Sequence, residues 1–165
     1  TRLQNLIHVG VEYITSYDAS ELMKKPNPDK WSKKEIIGHL IDSGLNNIQR
    51  FTEIQFEKKP YKIRSYNQEK LVKANFYQGT EIKNLLEFWI PINKQIIHLM
   101  KQHSEESLKY ELVLPNESPS DLRFLMTDYV DHFEHHIIQL KRTSKKTVFT
   151  SKNPILYNAL KLSTF

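Results

Sequence analysis

The chain has 165 residues, no cysteine and a net charge of +5, with 39% apolar and 26% charged residues. That suffices for one domain with a buried core, and it excludes disulfides, thiolate metal sites and cysteine nucleophiles. No run is long and apolar enough to read as a membrane span.

The positive excess is spread along the chain, at Lys24, Lys25, Lys30, Lys33, Lys34, Lys58, Lys59 and Lys62, with a denser group at Lys141, Arg142, Lys145 and Lys146. Glutamates interleave with it and no nucleic-acid reader motif is present, so the charge reads as a solvated surface. No nucleic-acid partner and no membrane partner is expected. The lack of cysteine and of a basic-then-apolar leader suits the cytoplasm.

Residues 2 to about 23 carry Leu3, Leu6, Ile7, Val11, Ile14 and Leu22 at three- and four-residue steps, which predicts a first helix ending before Pro26 and Pro28. Ser32-Lys33-Lys34-Glu35 has the spacing of a capping box, and Trp31 and Ile36 flank it as a hydrophobic staple. A second helix follows to about Phe56, with Ile37, Leu40, Ile41, Leu45, Ile48 and Phe51 as its core stripe. Beside the stripe runs a polar line, His39, Ser43, Asn46 and Arg50, which fits either a solvated flank or the wall of a cavity.

Residues 57 to 66 read as a loop, and Asn67 caps a short helical piece reaching about Phe76. Gly79-Thr80 opens a third long helix through Met100, with Pro91 inside it and a kink expected near 87–91. Ser104 to Ser120 is a connector in which Leu112 to Pro115 could be extended. Ser118-Pro119 or Ser120-Asp121 starts the fourth long helix, over about 120–142. The pattern breaks at Thr143, and a short final helix is expected from Pro154 through Leu160. Four long amphipathic segments with few strand signals predict an all-α helical bundle.

The fourth helix holds the most chemistry. In Asp128-Tyr129-Val130-Asp131-His132-Phe133-Glu134-His135-His136, three of the seven histidines fall within five residues. His132 and His136 lie one turn apart on one face, so both imidazoles can aim at one point. Neutral imidazole is the commonest protein ligand for zinc, nickel and similar ions.

Trp31-Ser32-Lys33-Lys34-Glu35-Ile36-Ile37-Gly38-His39-Leu40-Ile41-Asp42-Ser43 resembles the second-helix signature of the DinB/YfiT-like superfamily, with its W-S and H-L-x-D elements. Asp128 to His136 resembles that superfamily's fourth-helix motif, and the likeness covers roughly residues 1–142. The resemblance implies a four-helix bundle of up-down-down-up topology and a divalent metal ion, zinc or nickel, held by His39, His132 and His136. It also implies homodimers and a small-molecule substrate. The chemistry it implies is transfer of a low-molecular-weight thiol or hydrolysis. Three imidazoles leave a coordination position open, which marks a reactive site rather than a structural one.

Other residues have two readings each. Asp42, Ser43 and Asn46 line the cavity or face solvent. Arg50 meets an anionic substrate or pairs with a glutamate. Asp128 accepts the spare N–H of a ligand imidazole or is solvated. His135 is an alternative ligand or a helix-flank residue, and Tyr129 is core before it is catalyst. His8, His98 and His103 have no partner at ligand spacing. The competing function is a non-catalytic metal- or ligand-binding or dimerisation module, whose metal would be closed off by a fourth protein ligand. Residues 1–142 form the bundle domain, and 143–165 are expected to be an extension packed on or beside it.

Overall fold

A computed structural model describes residues 1–142, the Arg142 side chain excepted; the expected extension and its final helix lie outside the described residues. The first helix, α1, runs Arg2–Thr15, and the expected continuation to residue 23 is instead a separate short helix, α2, Ala19–Met23. The break follows from side chains that compete for backbone groups. The Ser16 hydroxyl donates to the Tyr13 carbonyl at 2.7 Å, and Asp18 caps the new helix by accepting from the Glu21 amide at 2.9 Å.

Helix α3, Lys33–Glu53, starts at the predicted capping box. The Ser32 hydroxyl accepts from the Glu35 amide at 3.2 Å, and the Glu35 carboxylate accepts from the Ser32 amide at 2.8 Å. Asn67 caps α4, Gln68–Ala74, which ends where Phe76 takes a left-handed conformation at φ 54°. Helix α5, Ile82–Gln102, carries Pro91 within one continuous helix, on its exposed side. Helix α6, Leu122–Arg142, begins after Asp121, whose side chain accepts from the Phe124 amide at 2.8 Å.

Both segments read as connectors contain short strands: β1, Tyr61–Lys62, β2, Glu111–Val113, and β3, Pro119–Asp121. They form one sheet in the order β1-β2-β3, with β1 parallel to β2 and β3 antiparallel to β2. Strands this short carry too few residues for an alternating pattern to register. Of the two expected starts of the fourth long helix, Ser120-Asp121 is the one that precedes α6, while Pro119 lies in edge strand β3, where it need donate no ladder hydrogen bond.

These strands fix the helix directions. Strand β1 follows the C-terminal end of α3 and β2 follows that of α5, so α3 and α5 run the same way. Strand β3 feeds α6 from the same end, so α6 runs opposite to them. Helix α1 runs with α6: Arg2 pairs with Asp131 and Glu134, Gly10 abuts Ile137, and Tyr17 bonds the Leu140 carbonyl. The bundle is therefore up-down-down-up.

Parallel neighbours need a connection that travels the length of the bundle, and the chain between α3 and α5 makes that journey back along α3. Arg50 donates to the Arg64 carbonyl, Asn75 and Tyr77 donate to Asp42, and Ser32 donates to Gln78. Gly38 lets this return segment lie close, because a Cβ there would sit 2.0 Å from the Tyr77 ring. In the core Trp89 stacks on Phe133 at 5.4 Å, and Ile7, Val11, Leu40, Leu86 and Ile90 are fully buried in the same cluster.

Candidate metal centre

Helix α3 presents His39 in its second turn, and α6 presents His132 and His136 on successive turns. His132 Nε2 stands 3.1 Å from His39 Nε2 and 3.2 Å from His136 Nε2. The ligand atoms of all three lie within 4.8 Å of one another. Zinc–nitrogen bonds of about 2.05 Å place tetrahedral ligands about 3.3 Å apart, close to the two separations from His132.

His39 is wholly buried, His136 nearly so, and His132 half-buried. Burial, and then the neighbouring His136 and His132, push the His39 imidazole down to about 3. Burial and then His132 bring His136 to about 4, with the Gln139 hydrogen bond opposing. His132 is lowered as well, first by burial and then by His135. All three are therefore neutral at ordinary pH and offer lone pairs.

Gln139 Oε1 lies 2.8 Å from His136 Nδ1 and accepts its proton, which leaves His136 Nε2 bare. His132 Nε2 has close nitrogen neighbours on two sides and at most one proton to place between them. Bare, its lone pair opposes that of His136; protonated, its single N–H must be shared between both neighbours or oppose a His39 N–H, so neither arrangement satisfies both close contacts well. A cation at the shared point removes that conflict, so the donor set fits a divalent ion. No fourth His, Asp or Glu joins the group among the described residues, and at least one coordination position would stay open.

Trp31, expected as a staple at the helix end, packs on the histidines. Its ring packs on His39 with centroids 4.7 Å apart and reaches within 6.2 Å of His136, while its indole N–H donates to Glu69 at 3.0 Å. It forms an aromatic wall on one side of the imidazoles.

Asp42 is buried and accepts from Tyr77 at 2.7 Å and Asn75 at 2.8 Å, tying α3 to the return segment rather than to an imidazole. Burial raises its carboxyl above the usual range. Ser43 is buried beside it, and Asn46 donates to the Asp42 carbonyl at 2.8 Å. Arg50 lies farther along, over the Tyr66 ring. Asp128 is exposed and makes no hydrogen bond to an imidazole. Tyr129 is core, its hydroxyl donating to Asn93 at 2.7 Å.

His135 is exposed, with its ring 5.1 Å from that of His136. His8 pairs with Glu12, His98 is exposed and His103 bonds Ser107, all outside the cluster. Sequence reasoning passed over Gln139, although an amide one turn after a ligand-spaced histidine is a readable signal.

A family profile described as the DinB superfamily matches residues 3–140. Two bacterial proteins carrying the name "putative metal-dependent hydrolase" are similar to the chain. The one from Oceanobacillus iheyensis is 27% identical over 79% of this chain and 74% of its own length. The one from Halalkalibacterium halodurans is 23% identical over 80% and 76%. Among solved structures, YfiT from Bacillus subtilis superposes with a TM-score of 0.78 at 19% identity, covering 87% of this chain and 82% of that one. It is described as a probable metal-dependent hydrolase with an unusual four-helix bundle topology. At that identity the likeness speaks for the fold.

Proposed function

The chain belongs to the DinB superfamily, and from that premise we propose that it is a divalent-metal-dependent enzyme, with hydrolysis of a small molecule as its primary reaction. The observation that carries this reading is the convergence of three Nε2 atoms from two helices with no fourth protein ligand beside them among the described residues. An ion held there supplies a Lewis acid that acidifies water towards a pKa of about 7, or acidifies a small thiol. His39, His132 and His136 contribute neutral donors, Gln139 fixes the tautomer of His136, and the Trp31 ring keeps bulk water off one side of His39. The names of the two relatives support the hydrolytic form.

Thiol transfer is the second reading. With no cysteine in the chain, its nucleophile would be a low-molecular-weight cosubstrate.

The test combines elemental analysis with zinc and nickel titration of the full chain, followed by turnover of ester and amide panels and of thiol–electrophile pairs, with and without the ion. About one ion per chain is expected, lost in His132→Ala with helical content retained, and turnover should require the ion. A parent that binds neither ion, and is indistinguishable from His132→Ala, would remove the basis for the enzyme. Turnover only with added thiol would select the second reading.

A further inference from the structure

At the far end of the polar line on α3, a cavity of about 270 Å³ is lined by Asn46, Gln49, Arg50, Tyr61, Arg64 and Ser65. It contains two guanidinium groups and no carboxylate.

Arg50 is the more constrained of the two. It is half-buried, donates from Nη2 to the Arg64 carbonyl at 2.8 Å, and lies over the Tyr66 ring at 5.5 Å. It forms no ion pair among the described residues. Burial pushes its guanidinium below the ordinary value; Asp128 exerts a weaker opposite pull but does not pair with it.

Buried arginine ordinarily meets a carboxylate or phosphate, because a desolvated charge without a counter-charge is costly. Arg64 adds a second positive charge at the same wall. Its nearest acid, Glu53, lies at 3.8 Å and is already engaged by Gln49 and Tyr61, each donating at 2.5 Å. Two of the lining donors are thus committed to Glu53. The remaining Arg50 donors, the exposed Arg64, which keeps only a 3.8 Å ion pair with Glu53, and the Ser65 hydroxyl are left to face a ligand.

We propose that this cavity is an oxyanion-binding site, taking a phosphate or carboxylate group between Arg50 and Arg64. Planar guanidinium matches both anions bidentately. The anion can be a free ion or the charged end of a larger molecule.

His39 and Arg50 lie on one polar line, roughly 16 Å apart on a helix rising about 1.5 Å per residue. A molecule anchored at Arg50 could therefore extend towards the histidines. That extension rests on the metal-enzyme reading, whereas the anion site does not.

The experiment is a calorimetric and thermal-shift titration of the full chain with inorganic phosphate, a phosphate monoester and a dicarboxylate, against chloride at matched ionic strength. Saturable binding of at least one oxyanion is expected. Affinity should fall roughly 10- to 100-fold in Arg50→Gln. A smaller loss is expected in Arg64→Gln, whose exposed side chain leaves folding intact. His39→Ala should bind the anion as the parent does, which separates this site from the metal centre.

Tighter binding of inorganic phosphate would identify a free-ion site, and tighter binding of an organic anion a substrate end; either supports the proposal. Shifts no larger than those with chloride, or full affinity in both arginine variants, would overturn it.

Discussion

Replacing Gln139 by Ala should weaken metal binding without unfolding the bundle. The Gln139 Oε1 acceptor stands 2.8 Å from His136 Nδ1 and is the partner that holds the imidazole with Nε2 bare. Without it the ring can rotate, and its other tautomer places the proton where the ion should bind. Loss of such a partner costs about 10- to 100-fold in metal affinity, or about 1.4 to 2.7 kcal/mol at 1.4 kcal/mol per tenfold. Gln139 is only half-buried, so the melting point of the metal-free protein should move little. Gln139→Glu, which supplies a stronger charged acceptor, should bind at least as tightly as the parent. Competition against a chromophoric chelator measures both variants. Equal affinities for parent and Gln139→Ala would refute the reasoning and leave the tautomer unassigned.

Gly38→Ala should destabilise the fold by about 2–4 kcal/mol in urea unfolding, since the added Cβ meets Tyr77 at 2.0 Å and threatens its bond to Asp42. The opposite sign, a gain of up to about 1 kcal/mol as for an exposed helical glycine, would show that the return segment yields freely. Ser32→Ala removes the cap of α3 and the 2.5 Å bond to Gln78, and should cost about 1–2 kcal/mol; an unchanged unfolding midpoint would contradict the cap. The metal-free protein should also be acid-sensitive. His39 and His136 have folded values of about 3 and about 4, below the ordinary imidazole value of 6.5, so the unfolded chain binds protons that the folded one refuses. Their stabilisation is therefore complete above about pH 6.5 and lost progressively as pH falls towards 4. Each histidine contributes at most about 1.4 kcal/mol per pH unit, so the two buried imidazoles together should make unfolding free energies at pH 7 and 5 differ by up to about 4 kcal/mol. A flat profile would mean that the imidazoles are not shielded in the metal-free protein.

Periodicity reveals the four long helices because each buries a stripe several turns long. The capping box at Ser32 and the Asn67 cap were readable because a short side chain there has one strong local option. The break after Thr15 is local, made by Ser16 and Asp18 bonding the backbone, but the three- and four-residue apolar spacing runs across it to Leu22 and hides it. The pairing of the strands depends on packing between distant segments; only the extended character of Leu112 and Val113 shows in the sequence.

Within the site, the ligand-spaced pair on α6 was visible as an i, i+4 pattern, whereas the place of His39 came from the resemblance. Trp31 reads as a staple because its helix start is local; its approach to His136 requires α6 to dock. Asp42 has its pull divided between Asn75 and Tyr77, partners that arrive from a segment with no periodic signal of its own.

The return of the chain along α3 leaves the three imidazoles on segments far apart in sequence, with His39 and His132 separated by 93 residues. A half-folded chain therefore offers an ion at most the ligand-spaced pair of α6, His132 and His136. An ion at 1,000 times its dissociation constant would add about 4 kcal/mol to the finished bundle and little to its precursors. It would act as a clasp fastened last, and resistance to heat should report how much of the protein is loaded.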